Sequence, residues 1–98
     1  MISQLIVRVE ARADIVEAHQ WYEDRSEGLG LDFARAIDTC FELIKRNPNA
    51  YPKLHKEVHR ALIKGFPFAV FFRVQHNTIS ILACTHVRRN PKRWQKRV

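Results

Sequence analysis

The chain has 98 residues, of which 46% are hydrophobic and 28% are charged, and its formal net charge at pH 7 is +7. A chain of this length has enough residues for one hydrophobic core, so we expect a single domain over residues 1–98. No apolar run approaches the roughly 20 residues that a membrane span needs. The N-terminal segment MISQLIVRVEARADI has only a short apolar stretch, interrupted by Arg8 and Glu10, which predicts no signal peptide or anchor and a location in the cytosol.

The positive charge is concentrated in the second half of the chain. Residues 1–50 contain nine acidic and six basic residues, whereas residues 51–98 contain eleven basic residues and one acidic residue, Glu57. The two halves therefore carry formal charges of −3 and +10. This asymmetry favours a polyanionic partner, which is a nucleic acid, an anionic protein surface or an acidic peptide.

The first predicted elements are a strand and a helix. The segment QLIVRV at residues 4–9 is rich in β-branched and apolar residues, which predicts a strand. From Ala11 to about Arg25, apolar residues recur at spacings of three and four, which predicts a helix. The apolar stripe of this helix consists of Ala11, Ile15, Ala18 and Tyr22. The sequence SEGLG ends the helix, because two glycines within three residues favour a turn.

A second helix is predicted from about Leu31 to Arg46. Its apolar face consists of Phe33, Ala36, Ile37, Cys40 and Ile44. Lys45 and Arg46 lie in its last turn, where cations interact favourably with the helix dipole, and the sequence NPNAYP ends it. Since a short glycine loop joins the two helices, we expect them to form an antiparallel hairpin.

The rest of the chain is typical of strands, with the segments EVHRALI, FAVFFRV and TISILACT. In the first of these, alternation places Arg60 and Leu62 on one side and Ala61 on the other. The turn QHN joins the last two segments into a hairpin. The sequence therefore predicts an α+β fold in which an N-terminal strand and a helical hairpin pack on a mostly antiparallel four-stranded sheet.

Neither the cysteines nor the histidines have the spacing of a metal site. Cys40 and Cys84 lie far apart in the sequence, and both are predicted to be reduced core residues. His55 and His59 form a short-spaced pair, but no further ligand follows at zinc spacing. We therefore expect no metal and no cofactor.

Several segments together resemble the RelE/ParE family of toxins from bacterial type II toxin-antitoxin systems. They are WYE late in the first helix, GLG before Phe33, NPNAYP, FPFAVFFRV, and the pattern His-x-Arg-Arg-x-Pro-x-x-Trp at residues 86–94. The similarity covers nearly the whole chain and implies the RelE/ParE-like toxin fold. It also implies a small basic toxin, of the kind called plasmid stabilisation proteins, that inhibits growth until a cognate antitoxin binds it.

The family contains two mechanisms on one fold, and a shared fold does not choose between them. RelE-like toxins cut messenger RNA on the ribosome, whereas ParE-like toxins poison DNA gyrase without known bond-breaking chemistry. RelE-like toxins use lysines on the second strand, arginines on the third strand and after the fourth, and a tyrosine in the tail. At the matching positions this sequence has Arg60, Leu62, Ala69, Arg88 and Trp94.

Three of these five positions lack the polar group that cleavage needs. Leu62 and Ala69 cannot stabilise charge on phosphorus, and the indole N–H of Trp94 cannot accept a proton. A metal-independent endoribonuclease would have to use His86 as its acid or base, with Arg60 and Arg88 as phosphate clamps.

The leading interpretation is a ParE-like toxin that acts by binding, with DNA gyrase as its target and an acidic antitoxin as its partner in a hetero-oligomer. The alternatives are a ribosome-dependent mRNA interferase and an inert family member that only binds its antitoxin. The basic and aromatic residues expected to contact target or antitoxin are Arg60, Arg73, His86, Arg88, Arg89, Lys92, Arg93 and Trp94. We expect the positive charges to converge on one exposed region of the sheet beside the terminal segment.

Four of the side chains have alternative positions. Arg88 and Arg89 follow a strand, so we expect them on opposite sides of the chain, with only one near Arg60. Trp94 either contacts a partner or folds back onto the sheet and holds the tail. Trp21 either reaches the edge of the groove between helix and sheet or packs between the helices.

Overall fold

The computed structural model describes residues 4–98, which form a four-stranded sheet, a helical hairpin and a short C-terminal helix. The elements in chain order are β1 (Gln4–Val7), α1 (Val9–Arg25), α2 (Leu29–Arg46), β2 (His59–Leu62), β3 (Phe68–Gln75), β4 (Thr78–His86) and α3 (Lys92–Gln95). Short 3-10 turns at Pro48–Ala50 and His55–Glu57 connect α2 to β2. No helix in this part of the chain is long and apolar enough to cross a membrane.

The sheet has the strand order β1-β4-β3-β2. β1 is parallel to β4, and the other two pairings are antiparallel. β3 and β4 form the predicted hairpin, whose turn residues His76 and Asn77 have φ values of 51° and 64°. Such left-handed pairs suit the twist of a two-residue hairpin turn. The predicted α+β class with a mostly antiparallel sheet is confirmed.

The two faces of the sheet carry two separate hydrophobic clusters. The helical hairpin covers one face, which we call the helix face, where Phe33 and Ile44 of α2 pack with Phe72 and Ile79 of the sheet. The opposite face, which we call the tail face, packs against the C-terminal segment. Its cluster consists of Val58, Ala69, Phe71, Leu82, Ala83 and Trp94.

A bulge in β4 places two adjacent residues of this cluster on the same face of the sheet. Phe71 is paired with Ala83 and Phe72 with Ile81, so Leu82 is an extra residue in β4. Leu82 and Ala83 both join the cluster on the tail face as a result. A bulge of this kind also increases the local twist of the strand.

Some predicted boundaries were wrong by about two residues. β1 ends at Val7 rather than at residue 9, and α1 begins at Val9 rather than at Ala11. α2 begins at Leu29 rather than Leu31. The predicted C-terminal ends of both helices are confirmed, because the glycine and proline signals that follow them are strong local determinants.

The early start of α2 depends on a side chain from α1. The carboxylate of Glu23 accepts hydrogen bonds from the backbone N–H groups of Gly28 (3.1 Å) and Gly30 (3.0 Å). An anion at this position satisfies free N–H groups and interacts favourably with the helix dipole. Gly30 permits the close approach, since a Cβ there would lie 2.9 Å from Glu23 Oε1 and from His19 Cε1. Glu23 of the WYE segment and the two glycines of the GLG segment therefore form the junction between α1 and α2 together.

Replacement of Glu23 by alanine tests this cap. We expect Glu23→Ala to lower the free energy of unfolding by about 1 kcal/mol, because the first turn of α2 loses its acceptor. Urea unfolding followed by circular dichroism measures the change. The control Asp24→Ala removes a neighbouring exposed carboxylate that accepts a hydrogen bond from Gln20, and should change stability by less than about 0.5 kcal/mol. Equal effects of the two substitutions would contradict the capping role.

Candidate partner-binding groove

The carboxylate of Asp14 joins helix α1 to the end of the sheet. Its side chain is only 4% exposed, and Oδ2 accepts a hydrogen bond of 3.0 Å from the backbone N–H of Cys84. β1 pairs with β4 only as far as Ile81, so the later residues of β4 lack a neighbouring strand on that side. Asp14 thus satisfies a backbone donor that the short β1 leaves free.

Two arginines of the C-terminal segment are the cationic partners of the Asp14 carboxylate. Arg97 donates through Nη1 to Oδ2 at 2.6 Å and through Nη2 to Oδ1 at 3.2 Å. Its Nη1 also donates to the backbone carbonyl of Leu82 at 3.1 Å. Arg93 Nη2 lies at 3.4 Å from Oδ1. The hydrogen bond to Asp14 raises the pKa of the Arg97 guanidinium above its ordinary value. A paired charge on the buried side of α1 therefore holds the tail at the open edge of β4.

Trp94 holds the same segment from the other side of the sheet. Its indole is 4% exposed and stacks on the Phe71 ring, with a centroid distance of 4.4 Å and an interplanar angle of 17°. The His55 ring makes an edge contact with it at 6.3 Å. Of the two alternatives for Trp94, the structure has the one in which it folds back and holds the tail.

The docked tail and α1 form the walls of an open groove of about 1220 Å³. Its apolar surface includes Tyr22, Pro67 and Phe68 together with Trp21, which is 52% exposed. One wall carries three cations, namely Arg88, Arg89 and Arg93, and the α1 wall carries Glu17 and Asp24. We call this feature the groove. It combines an exposed aromatic surface with concentrated charge, which is the composition of protein-binding sites.

The arrangement agrees with what comparison with known proteins finds. No family model matches the chain. Toxin ParE2 of Mycobacterium tuberculosis, from strains CDC 1551 and H37Rv, is 27% identical over 92 residues, which are 93% of this chain and 88% of the relative. The chain is therefore similar to ParE toxins over most of its length.

A solved structure described as the chromosomal ParDE TA system from P. aeruginosa supports the fold. It superposes on this chain with a TM-score of 0.66 and 21% sequence identity, covering 87% of this chain and 96% of that chain. The two helices on a four-stranded mixed sheet are therefore the ParE fold.

The fold does not bring the three residues of the hypothetical nuclease together. His86 lies in the row with Phe68 on the helix face, where their rings make an edge contact at 5.4 Å. Arg60 lies in the row with Phe71, whose side chain belongs to the tail face. His86 also accepts a hydrogen bond of 3.1 Å at Nδ1 from the backbone N–H of Arg88. Arg60 and His86 are thus on opposite faces of the sheet.

Arg88 and Arg89 both line the groove, whereas strand alternation predicted side chains on opposite sides of the chain. The prediction assumed that strand geometry continues beyond His86. The chain instead turns at this point, and the N–H of Arg89 donates to the carbonyl of His86 at 2.9 Å. Alternation of side chains applies only within an extended strand.

The positive charges converge only in part. His86, Arg88, Arg89 and Arg93 line the groove. Arg60 is exposed on the tail face, and Lys92 is exposed in α3. Arg73 lies in β3, beyond the residues that pair with β2, and its Nη2 donates to the Lys56 carbonyl at 3.0 Å. The single basic surface expected from the sequence is therefore divided among several regions.

Sequence reasoning missed Asp14, although a signal was present. Asp14 follows Ala11 by three residues and precedes Ala18 by four, so it lies on the predicted buried stripe of α1. A carboxylate at such a position needs a cationic partner. Trp21 was expected either at the groove edge or between the helices, and it lies at the groove.

The two cysteines are unsuited to nucleophilic chemistry. Both are free and buried in the helix-face cluster. Burial raises the pKa of the Cys40 thiol to about 11 and that of Cys84 to about 12. Both therefore remain protonated at neutral pH. Within residues 4–98, no group of three or more His, Cys, Asp or Glu side chains is placed to hold a metal ion.

Removal of the Asp14 carboxylate should release the tail. We expect Asp14→Ala to lower the free energy of unfolding by about 3 kcal/mol, because it leaves a partly buried guanidinium and a backbone N–H without their acceptor. In a Trp21→Phe background Trp94 is the single tryptophan, so its emission should shift to longer wavelength as the indole becomes exposed. Urea titration and fluorescence spectra measure both effects.

The matched control for this experiment is Glu17→Gln, which changes an exposed acid on the same helix. It should leave both the unfolding midpoint and the Trp94 emission unchanged. An Asp14→Ala variant with native emission and stability would show that Trp94 alone holds the tail.

Proposed function

We propose that this ParE-like protein inhibits bacterial growth by binding a protein target, with DNA gyrase as that target, and that an acidic antitoxin segment neutralises it by occupying the groove. The observation that carries the proposal is that the exposed Trp21 and the three arginines Arg88, Arg89 and Arg93 line one groove. The likeness to a structure described as a ParDE TA system supports a cognate antitoxin as partner.

The groove favours a flexible acidic partner for two physical reasons. Long-range attraction by the arginine wall accelerates the encounter with an anionic segment. Burial of apolar side chains against Trp21 and Phe68 then compensates for part of the entropy that a disordered segment loses when it orders. A segment with acidic and apolar residues would use both features together.

The tail face supports binding in preference to RNA cleavage. The positions where RelE-like toxins are expected to carry polar groups hold Leu62, which is 63% exposed, and Ala69, which is buried. Of the remaining candidate groups, His86 and Arg88 line the groove, whereas Arg60 lies on the opposite face of the sheet. Only one of the two expected phosphate clamps is therefore on the same surface as His86.

Induction of the toxin gene in a bacterial host tests the proposed activity. We expect growth arrest, loss of supercoiling activity when purified gyrase is incubated with the purified protein, and no new messenger RNA ends by primer extension. New cleavages at codons with intact supercoiling would establish the mRNA interferase instead. Normal growth after induction would identify an inert family member.

Charge reversal in the groove tests the proposed partner site. In cells that express the toxin with its cognate antitoxin, the double variant Arg88→Glu, Arg89→Glu should weaken complex formation by tenfold or more, because each like-charge contact costs binding free energy. Affinity purification and calorimetry measure the loss. The control Arg35→Glu reverses one charge, half the change of the double variant, on the exposed side of α2 and should leave binding unchanged. Undiminished binding by the double variant would refute the placement of the antitoxin in the groove.

A further inference from the structure

Arg93 and Arg97 contact the same carboxylate but are bound very differently. Arg97 makes two hydrogen bonds with Asp14, of 2.6 and 3.2 Å, and its side chain is 18% exposed. Arg93 makes one contact of 3.4 Å, and its side chain is 36% exposed. The Arg93 contact lies at the long end of hydrogen-bond distances, so it contributes little. Asp14 would remain paired through Arg97 and Cys84 without it.

The Arg93 guanidinium also has a donor that no group satisfies. Among residues 4–98, Nε of Arg93 is the buried side-chain nitrogen or oxygen atom without a hydrogen-bond partner. Such a group costs free energy, and a charged one costs more than a neutral one. Arg93 is therefore held in place with part of its bonding capacity unused.

The charges around Asp14 do not balance. Two guanidinium groups share one buried carboxylate, so the cluster carries an excess positive charge. Glu10 compensates part of it at Arg97, whose pKa it helps to raise. Glu17 lines the groove, but it makes no hydrogen bond or ion pair with Arg93 within the described part of the chain. The uncompensated charge thus lies on the side that faces the groove.

From these observations we infer that Arg93 is the carboxylate receptor of the groove. An acidic side chain of a bound peptide takes Arg93 away from Asp14 and accepts hydrogen bonds from its guanidinium, including the Nε donor that is unsatisfied in the free protein. Arg97 keeps Asp14 neutralised during the exchange, so the tail stays docked. A planar guanidinium suits this role because it binds carboxylates bidentately. The inference rests on the proposed function, since it concerns the same groove.

The position of Arg93 also specifies the kind of peptide. The α1 wall carries Glu17 and Asp24, which disfavour additional acids on that side. The preferred ligand therefore places a glutamate or aspartate toward the tail wall, apolar side chains over Trp21 and Phe68, and neutral or basic residues toward α1. A uniformly acidic peptide would bind less well than this ordered pattern.

A random 15-residue peptide library displayed on phage, selected on the purified full-length protein, tests the inference. We expect enriched peptides to carry an acidic residue within one helical turn of an apolar pair. A synthetic copy of the most enriched peptide and its glutamine-substituted twin are then titrated against the wild type and Arg93→Gln by fluorescence polarisation. Arg93→Gln and the glutamine substitution in the peptide should each weaken binding roughly tenfold. The two changes combined should weaken binding no more than either change alone.

Three controls separate this role from a structural one. Lys96→Gln removes one exposed charge from the same segment and should leave the affinity unchanged. Arg93→Lys keeps the positive charge but loses the planar guanidinium that binds a carboxylate bidentately, so it should bind the selected peptide with intermediate affinity. Trp94 emission in Arg93→Gln, measured in the Trp21→Phe background, should remain native because Arg97 still holds the tail.

The outcomes distinguish this inference from the proposed function. If the library yields no acidic peptides, or if Arg93→Gln and Lys96→Gln bind the selected peptide equally well, Arg93 is not the receptor. That result leaves growth arrest by the induced wild-type protein intact. Absence of growth arrest would instead refute the proposed toxic activity, whatever the peptide titrations give.

Discussion

The ion pair between Asp14 and Arg97 connects the three parts of the molecule that form the groove. Asp14 belongs to α1, its oxygens accept from the edge of β4, and its cationic partner comes from the C-terminal segment. A buried carboxylate is unfavourable without such partners, so the helix, the strand edge and the tail have to come together at one point. Because the tail forms one wall of the groove, the binding surface depends on this pairing.

The pairing also determines which cations are available to a partner. Arg97 is committed to Asp14 and to the Leu82 carbonyl, and Arg73 is committed to the Lys56 carbonyl. Arg88, Arg89 and, in part, Arg93 remain directed to the groove. The high net charge of the second half therefore overstates the charge of the binding surface. The charge available to a partner at each location is the positive charge that internal carboxylates leave unneutralised there.

The helices, the hairpin and the sheet class could be predicted because their signals are local. The apolar spacing in α1 and α2 and the turn before Thr78 are properties of neighbouring residues. The boundaries at Val9 and Leu29 were missed. The start of α2 at Leu29 depends on the Glu23 side chain, which belongs to α1, so the residues of α2 alone do not predict it. The opposed orientation of Arg88 and Arg89 was predicted from strand alternation, but the strand ends at His86, before both residues.

By itself the sequence determined the fold class, the resemblance to known toxins and the concentration of basic residues near the C-terminus. It could not determine which of those residues remain free, because Asp14 and Arg97 are separated by 83 positions. Only the tertiary structure brings such residues into contact, places His86 and Arg60 on opposite faces, and turns Trp94 inward. The physical reason is that periodicity and turn propensity act over a few residues, whereas charge pairing depends on distance in space.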